Sequence, residues 1–166
     1  MEYPYQLVTF LKQEPKLDEA IYGGENGWYP QIALKRRFGP NGISEDDLLK
    51  KIEGYLATIK PFDVHIREAK RTERMPVEVI EIQQDPAIMN FHTGFIESMG
   101  DAIVSKYGDR EGSNYYPHVT LEYWKKRLFD PAPFENTTIR VSNVWLVKDK
   151  EGSEESYAFR KFELSV

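Results

Sequence analysis

The chain has 166 residues, 40% of them apolar and 13% aromatic, which suits one domain with its own core and excludes an intrinsically disordered segment. A formal net charge of −5 argues against a general coat for long duplex nucleic acid, which needs excess positive charge. With no cysteine, disulfides, thiolate metal sites and a thiol nucleophile are all excluded.

Met1–Phe10 carries no basic segment followed by an apolar run, so no signal peptide is expected. No stretch reaches the roughly 18 apolar residues that span a bilayer. The expectation is a cytoplasmic protein with no membrane partner. Tyr5–Leu11 reads as a first strand. A glycine-rich loop, Gly23–Gly27, leads to a second strand at Gln31–Arg37, and Phe38-Gly39-Pro40-Asn41-Gly42 reads as a break. Ser44 with Asp47 three residues on is an approximate capping box. Leu48, Leu49, Ile52, Leu56 and Ile59 follow at helical spacing, and Pro61 stops that helix.

Alternation follows. Phe62, Val64 and Ile66 share one face of a strand, and Asp63, His65 and Arg67 the other. Val77–Ile82 is its expected hairpin partner. Asp85-Pro86 opens the longest helix, with Ile88, Phe91, Phe95, Met99, Ile103 and Tyr107 as its apolar stripe and Gly108 as its end. Three strands are expected near Pro117–Trp124, Ile139–Lys148 and Tyr157–Leu164, with a turn at Lys150–Ser153. No linker divides the chain, so residues 1–166 read as one domain.

An internal repeat is the most specific signal. Trp28-Tyr29-Pro30-Gln31-Ile32-Ala33-Leu34 and Tyr115-Tyr116-Pro117-His118-Val119-Thr120-Leu121 share the pattern aromatic-Tyr-Pro-x-[Ile/Val]-x-Leu, and each leads to a Phe-x-Pro. Strand alternation turns Ile32, Leu34, Val119 and Leu121 toward helices. Gln31, Ala33 and Lys35, and His118, Thr120 and Glu122, turn the other way. If two such half-domains meet across a twofold, these residues line a shared groove.

The segment Pro117-His118-Val119-Thr120-Leu121, entered from an aromatic after a long amphipathic helix, resembles the second motif of the two-histidine (2H) phosphoesterases. That superfamily includes the RNA 2′,3′-cyclic phosphodiesterases, or 2′-5′ RNA ligases. The resemblance implies a bilobal α+β fold: two antiparallel sheets around a central groove, helices packed outside, and an approximate internal twofold. It implies phosphoester chemistry without metal or other cofactor, with His118 as one acid/base and Thr120 as one phosphate holder. The first motif departs from the family pattern, because Gln31 stands where the family has His and Ala33 where it has Thr or Ser. Gln31 donates hydrogen bonds but transfers no proton at neutral pH.

Several other residues are candidates for the site. His65 is the possible substitute acid/base, and Arg67 on the same strand face is a possible phosphate partner; an exposed strand face explains both equally. Lys35 reads as a phosphate contact or a rim salt bridge, and Tyr123 or Trp124 as a base-stacking aromatic. His92 reads as a packing residue of the long helix. No two histidines have helical ligand spacing, so no metal site is expected. The basic runs Lys35–Arg37, Arg67–Arg74 and Lys125–Arg127 are either solvated surface or a local anion site on an acidic body. The expected partner is a small nucleotide or RNA-end phosphoester, handled with weak or altered activity. The rival readings are an inactive phosphate- or nucleotide-binding module and a structural or interaction domain. Oligomeric state is not legible.

Overall fold

The computed structural model describes residues 2–22, 28–73, 76–123, 125–153 and 155–165. The Gly23–Gly27 loop, Arg74 and Trp124 lie outside these residues. The elements run β1 (Tyr5–Phe10), β2 (Gln31–Pro40), α1 (Glu45–Leu56), β3 (Phe62–Arg71), β4 (Glu78–Ile82), α2 (Pro86–Met99), β5 (Ile103–Ser105) and β6 (His118–Thr120). They continue with β7 (Glu122–Tyr123), β8 (Lys126–Arg127), β9 (Thr138–Val141), β10 (Asn143–Asp149) and β11 (Ser156–Glu163).

Among the described residues, nine strands form one sheet in the order β11-β10-β1-β2-β6-β4-β3-β9, with β5 pairing β2. The two expected sheets are therefore the two halves of one sheet, joined where β2 pairs antiparallel with β6 at Ile32↔Val119. These two residues are equivalent positions of the internal repeat, and antiparallel pairing of equivalents is what a local twofold produces. A second bond repeats across it. Leu11 N–H donates to the Pro30 carbonyl (3.0 Å), and Ile82 N–H donates to the Pro117 carbonyl (3.2 Å).

Only Ser142 separates β9, at one edge of the sheet, from β10 in the other half. The sheet must curl to allow this. The expected single strand over Ile139–Lys148 is thus two strands in different halves; an unbroken apolar run carries no mark of a change of partner.

The helices cover one face. Leu48, Ile52 and Leu56 of α1 and Ile88, Phe91, Phe95 and Met99 of α2 pack with Ile32, Leu34, Val119 and Leu121. Each such fully buried side chain contributes about 1.5–3 kcal/mol. Ser44 caps α1 by accepting from Asp47 N–H (3.1 Å). The second helix stops earlier than its stripe suggests. Gly100 adopts φ +51°, a left-handed turn open to glycine, and Ile103 enters β5 instead of a helix. On the opposite face of the first half, Val8, Phe10, Trp145, Val147 and Ala158 pack with Ile21 and Tyr29.

The expected break at Phe38–Gly42 is also revised, because β2 runs through Gly39 to Pro40. Here glycine serves close approach. A Cβ on Gly39 would collide with the backbone carbonyl of Glu2. Gly39→Ala is expected to destabilise the protein by about 1–3 kcal/mol. Gly54, in the middle of α1, has open space beside it, so Gly54→Ala should stabilise by roughly 0.5–1 kcal/mol. Urea unfolding of the two variants checks both signs.

Candidate active site

The sheet face away from the helices holds a groove of about 1110 Å³ across the β2–β6 junction. Gln31, Ala33, His118 and Thr120 all line it, from both repeats. The Ile32↔Val119 register runs Gln31 toward Thr120 and Ala33 toward His118. One wall adds Tyr22, Trp28 and Tyr123; another adds Arg36, Arg37, Lys106 and Tyr107.

His118 enters the groove from β6, with Tyr116 stacked beside it (ring centres 5.6 Å apart). Its Nδ1 lies 2.8 Å from the Tyr116 carbonyl oxygen. A carbonyl has no proton to give, so Nδ1 carries the hydrogen and Nε2 is left as the lone-pair nitrogen. Burial is the main cause that pushes the His118 pKa down to about 4, with the Arg36 charge adding to it against the Tyr116 bond. At neutral pH the imidazole is therefore a base. The Thr120 hydroxyl makes no hydrogen bond among the described residues, and it can turn to a ligand.

Gln31 is buried. Its Nε2 donates to the Tyr22 hydroxyl (3.0 Å), and its Oε1 has no partner among the described residues. The Trp28 indole N–H is likewise buried without a partner. Tyr22 and Trp28 stack on one another at 4.1 Å. Burial raises the Tyr22 pKa to about 12. Its phenol stays protonated and, having accepted from Gln31, keeps its own hydrogen to donate. Neither Tyr22 nor Trp28 stood out in the sequence as a site residue, although Trp28 opens the first repeat.

Lys35 is not in the groove. Along β1 the partners step from Val8↔Ala33 to Leu7↔Lys35 and then to Tyr5↔Phe38, so β2 carries an extra residue at two points. Each bulge resets the alternation. The first turns Lys35 to the core side, where it is fully buried and bonds Glu111 at 2.5 Å. The bulges also bring the consecutive Arg36 and Arg37 to the groove. Arg37 pairs with Asp149, which also accepts from the Ser156 hydroxyl (2.6 Å). Arg36 makes no ion pair among the described residues, and its guanidinium lies 4.6 Å over the Tyr107 ring. The basic run at 35–37 was the signal for these arginines; strict alternation picked the wrong member.

His65 and Arg67 lie outside the groove lining. The half-exposed His65 bonds Asp85 through Nδ1 (2.5 Å), and Arg67 faces Glu81 at 3.7 Å. Both do project from the face of β3 opposite Val64 and Ile66, but β6 and β4 lie between β3 and β2. Glu122 pairs with Arg71 (2.5 Å) instead of facing the groove, because the chain leaves the sheet after Leu121 into the β7–β8 hairpin. Tyr123 of that hairpin does line the groove. His92 is buried behind β2. Its Nδ1 donates to the Leu34 carbonyl (2.9 Å), its Nε2 accepts from Gly112 N–H (3.1 Å), and its ring stacks on Tyr115 at 3.9 Å. The three histidines thus occupy three separate environments, and among the described residues no group of three His, Asp or Glu converges as metal ligands.

Comparison with known proteins identifies the family and the fold. The family model of the 2′-5′ RNA ligase superfamily matches residues 22–152, and the chain belongs to that family of 2H phosphoesterases. No curated protein sequence matches it. Solved structures share its fold at low identity. Escherichia coli LigT complexed with 3′-AMP superposes with a TM-score of 0.63 at 13% identity, covering 100% of both chains. A protein described as a phosphoesterase gives 0.62 at 11% identity, again over 100% of both. TT0787 of Thermus thermophilus gives 0.60 at 13% identity, over 97% of both. Among the described residues no helix is long and apolar enough to cross a membrane.

The buried histidines make stability depend on pH. Both His118 and His92 are held below their ordinary pKa, chiefly by burial. The unfolded chain, with histidines near 6.5, therefore takes up protons before the folded chain does. Stability is full above about pH 6.5 and falls as pH drops toward 4, by roughly 1–3 kcal/mol for His118. Urea unfolding between pH 7 and 5, a window above most carboxylate titrations, should show the decline, and His118→Gln should flatten it. An unchanged midpoint across that window contradicts the assignment.

Proposed function

We propose that the groove binds a small nucleotide or RNA-end phosphoester, with the phosphorus near His118 and Thr120, and that it turns this ligand over slowly. The observation that carries the reading is His118 itself, a neutral imidazole whose free Nε2 shares one groove with the unpartnered Thr120 hydroxyl and the Arg36 charge. The E. coli LigT structures complexed with ATP, NADP+ and 3′-AMP support the ligand class, because the chain shares its fold with that protein.

In hydrolysis of a 2′,3′-cyclic phosphate, Nε2 of His118 takes a proton from the attacking water. Thr120 and Arg36 hold the non-bridging oxygens as charge builds on them. The P–O bond to the ribose oxygen breaks as the new one forms, and the leaving oxygen takes its proton from solvent water. Gln31 has none to transfer, and Ala33 offers no hydroxyl to hold the phosphate. Loss of one acid/base group costs about 10²–10⁴ in rate. An anion in the groove also raises the His118 pKa from its low value, which strengthens its hold on a phosphate. These features favour binding over turnover, and a nucleotide-binding module without turnover is the second reading. It is favoured by the two buried polar groups of the first wall, Gln31 Oε1 and Trp28 Nε1, which fit ligand hydrogen bonds better than proton transfer.

Hydrolysis and calorimetric binding of adenosine 2′,3′-cyclic phosphate test this reading. Wild type should bind and cleave slowly, and His118→Ala should abolish cleavage. Gln31→His with Ala33→Thr should raise the rate by about 10² or more, and by more than either single change. Binding without cleavage in wild type and in the folded double variant makes the second reading correct. Absence of binding overturns both.

A further inference from the structure

We propose that the groove has a second anion subsite at its edge, built by Arg36 and Lys106 of the lining and by Arg110 just outside it, around the Tyr107 ring. It takes a second phosphate of the ligand whose phosphoester lies at His118. The preferred ligand is then a nucleotide with an additional terminal phosphate; the subsite's place in such a ligand rests on the reading above.

The case starts from unmatched charge. The Arg36 guanidinium lies 4.6 Å from the centre of the Tyr107 ring, Lys106 Nζ 5.5 Å and the Arg110 guanidinium 5.5 Å. None of the three has a carboxylate within 4.0 Å among the described residues, although the chain has more acids than bases. Exposed lysines such as Lys50 and Lys126 also lack one among these residues, but the other cations on or beside the sheet are mostly matched. Lys35, Arg37, Lys70, Arg71 and Arg127 each have a carboxylate partner.

Arg36 cannot be dismissed as solvated surface. It is partly buried, and burial together with the nearby charges of Arg110 and Arg37 holds its pKa below the usual guanidinium value. Gathering cations at a partly desolvated site is unfavourable until an anion arrives, and phosphate is the anion a guanidinium fork matches best. Stacking on Tyr107 fixes Arg36 in place before binding.

The position gives the ligand class. Arg36, Lys106 and Tyr107 line the same groove as His118 and Thr120, and the Arg36 charge is felt at His118. Arg36 thus stands between two anion sites in one ligand-sized groove. The local backbone holds this arrangement. Lys106 N–H donates to the Arg37 carbonyl (3.0 Å), which ties the 103–110 segment to β2.

Calorimetry with adenosine 2′,3′-cyclic phosphate, its 5′-phosphorylated form and inorganic pyrophosphate tests the subsite. The comparison is between wild type and a Lys106→Ala/Arg110→Ala double variant, in which both replaced side chains are exposed. The 5′-phosphate should tighten binding about tenfold or more in wild type, as expected for added charge-assisted contacts. The double variant should lose that gain and keep its affinity for the simple cyclic nucleotide. Equal affinity for the two nucleotides in wild type, or a gain that survives in the double variant, overturns the second subsite and leaves the His118 site standing. If neither nucleotide binds, the His118 reading fails and pyrophosphate decides alone. Binding weakened in the double variant sustains the subsite, and binding that is unchanged or absent overturns it.

Discussion

The antiparallel pairing of Ile32 with Val119 is the constraint on which the rest of the structure depends. It joins the two halves of the sheet at equivalent residues of the internal repeat. Because side chains alternate along a strand, fixing this pair with both residues in the core forces their neighbours out on the other face. Gln31, Ala33, His118 and Thr120 converge for that reason alone. The repeat keeps its proline and apolar positions in both copies because they hold the register. The residues between them differ: the first copy has Gln31 and Ala33 where the second has His118 and Thr120.

What diverged has physical consequences. A two-histidine site works because one ring holds a proton while the other lacks one. Here a single ring remains, and burial keeps it neutral. Across the groove stand an amide, an indole N–H and a phenol that hold their hydrogens at neutral pH. Arg36, Arg37 and Lys106 bring positive charge to another wall, with Asp149 paired to Arg37 beside them.

The bulges in β2 show how small a change in backbone decides which side chains do chemistry. One extra residue sends Lys35 into the core, where it pairs with Glu111 beside His92. The same shift gives the groove Arg36, and the second bulge returns Arg37 to it. Had β2 been regular, the groove would hold Lys35 with Arg37, and Arg36, which stacks on Tyr107, would face the core.

By itself the sequence determined the α+β class, the repeat, the helix N-caps at Ser44 and Asp85, and the position of His118 and Thr120 opposite Gln31 and Ala33. These follow from local chemistry and from the two-residue period of a strand, which needs no knowledge of partners. Tertiary structure decided the rest. Gly100 in a left-handed turn ended α2 early, and Ser142 divided an apolar run between two halves of the sheet. Strand bulges exchanged Lys35 for Arg36, and sheet order left His65 two strands from the groove, paired with Asp85. Tyr22, Lys106 and Tyr107 come from loops whose path is set by what they pack against, and no periodicity announces it. Residues that act from regular strands are legible in a pattern; those brought in by bulges, loops and strand order depend on contacts between distant segments, which only the folded chain contains.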